Sequence, residues 1–132
     1  MRTTPLPPVA AIVSFIDCIN RGDVQGLGAL MTDDHELTVF TEPSVAGRDA
    51  NIAAWRGYAG AFPEYIVYPH RIAERDGIVA VAGHTTGSHL GLPDEVESQQ
   101  TLIWLAGFSG GKVRTWTLIE DNPDNRHHLG LD

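Results

Sequence analysis

A single cysteine, Cys18, in 132 residues excludes an intramolecular disulfide framework. Basic residues are also scarce. Nine Lys and Arg stand against seventeen Asp and Glu, for a formal charge of −8, and the nine are scattered along the chain. A surface that tracks phosphates needs clustered cations, so nucleic acid is not expected as a partner. No apolar run approaches the roughly 20 residues of a membrane-spanning helix, which argues against a membrane partner. Residues Val9–Ile16 resemble a signal-peptide core, but Pro7-Pro8 precede them, Asp17 follows, and no small-x-small cleavage site is present. The expectation is a soluble, cytoplasmic protein. The chain also lacks a Gly-rich phosphate loop, a dinucleotide fingerprint and a Gly-x-Ser-x-Gly elbow. Its histidines do not have metal-ligand spacing: His35, His70, His84 and His89 fall on different elements, and His127-His128 are adjacent in a tail. Neither a metal nor a cofactor is expected.

What is present fits one domain over residues 1–132, with 42% hydrophobic residues and no low-complexity run. Val9, Ile12, Val13, Ile16 and Ile19 recur at helical spacing, Pro7-Pro8 suit the helix start, and Asn20-Arg21-Gly22 supply its stop. Asp23 can cap a short second helix that turns Val24, Leu27, Leu30 and Met31 inward. Thr32-Asp33-Asp34 break that pattern, and Glu36–Thr41 has strand character. A third helix is expected from near Asp49 to just before Pro63, with Ile52, Trp55, Ala59 and Phe62 on one face. Strands follow over Tyr65–Arg75, Ile78–Leu90, Val96–Phe108 and Lys112–Asp121, with Asp76-Gly77 and Ser109-Gly110-Gly111 as hairpin turns. Pro69 marks the first of these as an edge or bulged strand. Helices followed by an antiparallel meander mean an α+β fold, with a curved sheet wrapped around the helices. The residues after Pro123 are a polar tail.

Five phrases carry a family resemblance. They are Asn20-Arg21-Gly22-Asp23, Ala61-Phe62-Pro63-Glu64, Gly87-Ser88-His89-Leu90-Gly91, Gly111-Lys112-Val113 with Asp121, and the closing His128-Leu129-Gly130, where the family has Gln-Leu-Gly. In this order the chain resembles the SnoaL-like polyketide cyclases of the nuclear transport factor 2-like superfamily. The resemblance implies a cone-shaped α+β barrel with a pocket between the concave sheet and three N-terminal helices. It carries His89 onto the family's histidine and Asp121 onto its acid/base aspartate. Residues Leu92–Ser98 depart from the pattern, being short and lacking the family's Thr-Gly pair.

Side chains alternate along a strand, so an inward Asp121 brings Ile119, Thr117, Thr115 and Val113 with it. Thr117 then becomes a substrate contact. Arg114, Trp116, Leu118 and Glu120 would face outward, unless register slips by one and exchanges Glu120 for Asp121. An exposed Trp116–Leu118 pair would suit a homodimer through the outer sheet face. In an apolar pocket Asp121 should titrate high and act as acid or base, with His89 relaying the proton or stabilising an enolate. Glu42, ahead of Pro43, matches an acid-Pro pair that supplies the base in related isomerases. Each has a plainer alternative: Asp121 as a strand-end cap, His89 as a hydrogen-bonded imidazole, Glu42 as a turn glutamate. His84 falls on the opposite parity from His89 and is treated as structural. Trp55, Tyr58, Phe62, Tyr65 and Trp104 could line a pocket for a flat, hydrophobic ligand.

The function expected from this is cofactor-independent acid/base chemistry on a hydrophobic carbonyl compound, as a cyclase of the intramolecular aldol type or an isomerase. The alternatives are an epoxide hydrolase of the limonene-epoxide-hydrolase type, weakened by the lack of an obvious arginine in Val96–Phe108, and a non-catalytic ligand-binding protein.

Overall fold

A computed structural model describes residues 6–132. Helix α1 (Pro8–Arg21) begins with a proline at its first turn, and Gly22 ends it in the left-handed conformation. Ala11, Ile12, Phe15, Ile16 and Ile19 make its buried face. Val9 and Val13, expected inside, are exposed, because the stripe that includes Ala11, Phe15 and Cys18 is centred roughly 100° around the helix from Val9 and roughly 140° from Val13. Asp23 caps α2 (Val24–Ala29) by accepting a hydrogen bond from the Gly26 N–H at 2.9 Å. Strand β1 (Met31–Val39) and the short β2 (Val45–Ala46) lead into α3 (Arg48–Ala61). The Thr32-Asp33-Asp34 triplet, with both aspartates exposed, does not end a helix. It sits inside β1, at an irregularity in its pairing between Met31 and Glu36.

The rest of the chain is β3 (Ile66–Arg75), β4 (Ile78–Thr86), α4 (Asp94–Glu97), β5 (Leu102–Ser109), β6 (Lys112–Glu120) and α5 (Pro123–Leu129). The six strands form one sheet in the order β2-β1-β6-β5-β4-β3, antiparallel except where β1 runs parallel to β6. The α+β architecture expected from the sequence is therefore present. Two of its segments are corrected. Val96–Ser98 is not strand: Pro93-Asp94-Glu95 start a helical turn there. The tail beyond Pro123 is helical, capped by the Asn122 side chain on the Asn125 N–H at 2.7 Å.

Both faces of the sheet are covered. On the inner face Val79, Val81, Trp104, Val113 and Trp116 pack against Ile12, Phe15, Ile16 and Leu27 of the helices. On the outer face Ala80, Ala82 and Ile103 are covered by Leu131, with Leu129, Leu105 and Ile119 beside them. The alternation of β6 changes phase on the way. Gly107 pairs with Thr115 but the adjacent Phe108 pairs with Val113, leaving Arg114 as the extra residue of a bulge. Val113 and Trp116 thus face the same side although three residues apart.

Buried His35 links β1 to this sheet. Its Nδ1 lies 2.7 Å from the Val113 carbonyl, to which the ring donates, and its Nε2 is buried with no hydrogen-bond partner among the described residues. Burial pulls its titration below the ordinary imidazole value, partly offset by that hydrogen bond and by Asp34. A folded-state value below the unfolded one means a stabilising contribution that is complete above about pH 6.5 and lost as pH falls through that value. Between pH 7.5 and 5, wild-type stability should fall by up to about 1.4 kcal/mol per pH unit below 6.5, and less in His35→Gln. Equal losses in both proteins, measured by urea titration, would clear the imidazole of the effect.

Candidate functional site

A cavity of about 180 Å³ lies between α3 and the inner face of the sheet. Strands β1 and β6 supply Leu37, Val39, Trp116 and Leu118, and β5 supplies Trp104. Helix α3 supplies Ala54, Trp55 and Tyr58, Tyr65 precedes β3, and His89 follows β4. All three tryptophans of the chain line it. Trp104 and Trp116 stack with ring centroids 6.2 Å apart and planes 18° from parallel, forming a flat floor. Tyr58 stands edge-on to Tyr65 at 5.0 Å and to Trp55 at 6.2 Å.

Polarity is concentrated at one corner. The Tyr58 hydroxyl accepts a hydrogen bond from the His89 backbone N–H at 3.1 Å and lies 2.8 Å from His89 Nδ1. Burial raises the Tyr58 phenol above its ordinary value, opposed by the His89 N–H and reinforced by the charge of Glu97. Burial drives the Tyr65 phenol up as well. With the phenol donating to Nδ1, the matching imidazole tautomer carries its proton on Nε2. The His89 side is exposed, which places this corner at the rim of the cavity.

The loop that carries His89 is fixed from beneath by a residue the sequence did not single out. Glu97, 1% exposed, accepts a short hydrogen bond from the Thr85 hydroxyl and a longer one, 3.4 Å, from the Ser88 N–H. The helix-start signal in Pro93-Asp94-Glu95 could have located α4. Nothing local marks Glu97 as buried.

Of the expected site residues, His89, Trp55, Tyr58, Tyr65 and Trp104 come together around this cavity. Phe62 lines an adjoining groove instead, although its ring is 4.8 Å from that of Tyr58. Glu42 sits in the exposed turn after β1 and does not line the cavity. Thr117 belongs to the outer-face set with Ile119, while Trp116 and Leu118, expected outside as a dimer surface, face inward. The orientation of Asp121 is the cause: strict alternation back from an outward Asp121 puts Ile119 and Thr117 outside and Leu118 and Trp116 inside, and the Arg114 bulge then leaves Val113 inward as expected.

Asp121 itself is on the outer side. Arg126 of α5 grips it with two hydrogen bonds, Nε to Oδ1 at 2.6 Å and Nη2 to Oδ2 at 2.8 Å. The expected upward shift of its carboxyl is therefore reversed. Arg126 holds it below the ordinary carboxylate range, and burial opposes this only in part. In place and in chemistry Asp121 clamps the C-terminal helix to the sheet. His84 is also on that face, 2.6 Å from His70 through Nδ1 and Nε2. Among the described residues no three His, Cys, Asp or Glu side chains gather as metal ligands, and no helix is long and apolar enough to cross a membrane.

Comparison with known proteins follows the same lines. Residues 12–116 match the sequence profile of the SnoaL-like domain. Immune inhibitor A of Bacillus thuringiensis subsp. alesti is 30% identical over 118 residues, which cover 80% of this chain but span only 16% of that protein's length. An uncharacterised cystatin-fold protein from Novosphingobium aromaticivorans superposes with a TM-score of 0.76 at 19% identity, covering 87% of this chain and 99% of its own. A candidate polyketide cyclase from Sinorhizobium meliloti superposes at 0.70 and 15% identity, covering 83% and 94%. At these identities the two structures establish the fold alone.

Proposed function

The chain belongs to the SnoaL-like domain family, and from that premise we propose that it binds a small, flat, apolar carbonyl compound and promotes enolisation of it with the Tyr58–His89 pair. The observation that carries this reading is the position of the pair at the rim of an otherwise apolar, tryptophan-floored cavity. Apolar cavities of ~150 Å³ admit benzene, so a volume of about 180 Å³ suits one or two fused rings. With Nδ1 committed to the phenol, Nε2–H is the group left to donate to a ligand oxygen. A neutral imidazole N–H aimed at a carbonyl stabilises the enolate that forms when a neighbouring C–H gives its proton to water at the rim. Enolisation is the proton-transfer step common to double-bond isomerisation and intramolecular aldol closure.

The test is deuterium incorporation at C1 of 2-tetralone in D2O, followed by NMR, with occupancy read from the quenching of tryptophan emission. The enzyme should accelerate exchange, and His89→Ala should lower that acceleration by about a hundredfold while still binding the ketone. One observation favours a second reading, a non-catalytic binding protein: no carboxylate lines the cavity, and Asp121 is held across the sheet by Arg126. Quenching without accelerated exchange would select that reading. Neither quenching nor exchange would overturn both.

A further inference from the structure

Beside the cavity runs a groove of about 420 Å³, and Trp55, Tyr58 and Tyr65 line both. On its far side the groove is bounded by the end of α1 and by the Phe62-Pro63 turn. Its charged lining is Arg21 and Arg56. The chain has seventeen carboxylate side chains and a formal charge of −8, yet none of those carboxylates lines either compartment. Arg21 is committed to Asp17 at 2.9 Å and lies 3.7 Å from Asp23. Arg56 makes no ion pair or side-chain hydrogen bond among the described residues. It is one position along α3 from Trp55, which lines the cavity as well as the groove. With Arg21 engaged by two carboxylates, Arg56 is the uncommitted cation of the groove among the described residues, and on an acidic protein such a site attracts anions that the rest of the surface repels.

We infer that the ligand is amphipathic: its ring system occupies the cavity, and an anionic substituent, a carboxylate or an ionised enol, lies in the groove against Arg56. This deepens the reading above and rests on it. The cavity selects by shape and apolar area, the rim by a hydrogen bond to the oxygen, and the groove by charge. Neutral hydrocarbons, cations and long-chain lipids are thereby disfavoured in favour of small aromatic acids.

The experiment compares 2-naphthoate with its neutral isostere 2-naphthamide by isothermal calorimetry on wild type, Arg56→Gln and Arg48→Gln. Arg48 is engaged by Asp33 at 3.1 Å and does not line the groove, so it serves as the charge control. Both compounds should bind wild type, the acid about threefold tighter, as one solvent-exposed ion pair allows. That preference should vanish in Arg56→Gln, persist in Arg48→Gln, and shrink toward one at about 0.5 M salt. Amide binding with no preference for the acid, or a preference that survives Arg56→Gln, overturns the inference and leaves the cavity reading standing. Binding of neither compound overturns the cavity reading and the inference with it.

Discussion

Trp116→Ala should destabilise the fold by about 3–5 kcal/mol and lower its melting temperature by about 10–20 °C. The indole is 1% exposed, stacks on Trp104 and packs at 5.0 Å against Phe15 of α1. Truncation removes its transfer free energy and also joins the vacated space to the adjoining cavity, whose other walls are anchored on separate elements and cannot close in. The size of the effect decides an orientation. Were Trp116 on the outer face, as the strand parity counted from an inward Asp121 requires, the change would fall near the ±0.5 kcal/mol of ordinary surface substitutions. Urea denaturation of the variant separates these two values by several-fold. A loss under about 1 kcal/mol would contradict the inward placement and the cavity floor built on it.

Gly87→Ala should cost about 2–4 kcal/mol, and it should also weaken ligand binding at the rim. Gly87 has φ of 69°, and a Cβ built on it would stand 2.4 Å from the backbone oxygen of Glu64. Two penalties combine: the left-handed conformation itself, about 1–2 kcal/mol for a residue with a Cβ, and a contact that no side-chain rotation relieves. Gly91, at φ of 67° in the same loop, has nothing within 4 Å of its would-be Cβ. Gly91→Ala therefore isolates the first penalty. Between these two glycines lies His89, so a backbone pushed away from Glu64 carries the imidazole off Tyr58. Similar unfolding energies for the two variants would show that the approach to Glu64 is not tight. A full-strength naphthamide complex in Gly87→Ala would show that the loop's position does not govern the rim.

Much of this architecture is legible from periodicity and turn chemistry. The apolar spacing from Ile12 to Ile19, the Asp23 cap and the Asp76-Gly77 turn each follow from local rules, and the observed helices and hairpins obey them. Half of the site is legible for the same reason: Trp55 and Tyr58 are one helical face, and His89 sits in a glycine-bounded loop. Misplaced residues share a different cause. The facing of Trp116, Thr117 and Leu118 hangs on that of Asp121, and the alternation that turns Trp116 out with an inward Asp121 turns it in once Asp121 is out; only Val113 depends on the skipped Arg114, which nothing in sequence marks. Glu97 is buried by Thr85 and Ser88, more than eight positions away along the chain, in a stretch of otherwise exposed polar residues. The role of Asp121 depends on Arg126, which becomes its partner only once Asn122 and Pro123 have started a helix that folds back on the sheet. Its neighbours in sequence gave it the look of an active-site acid. Its neighbours in space give it a clamp.

The skipped arginine has one more consequence. Strand β6 carries two reading frames in nine residues: before Arg114 odd positions face the helices, and after it even positions do. A relative without that extra residue would keep a single frame, so its inward side chains beyond Val113 would align with this chain's outward ones. Position-by-position comparison across the bulge would then match Trp116 to a residue on the opposite wall of the sheet. Within such a family, the inward set after position 113 is traced by counting from the Trp104–Leu118 pairing on β5, not from the hairpin that starts the strand.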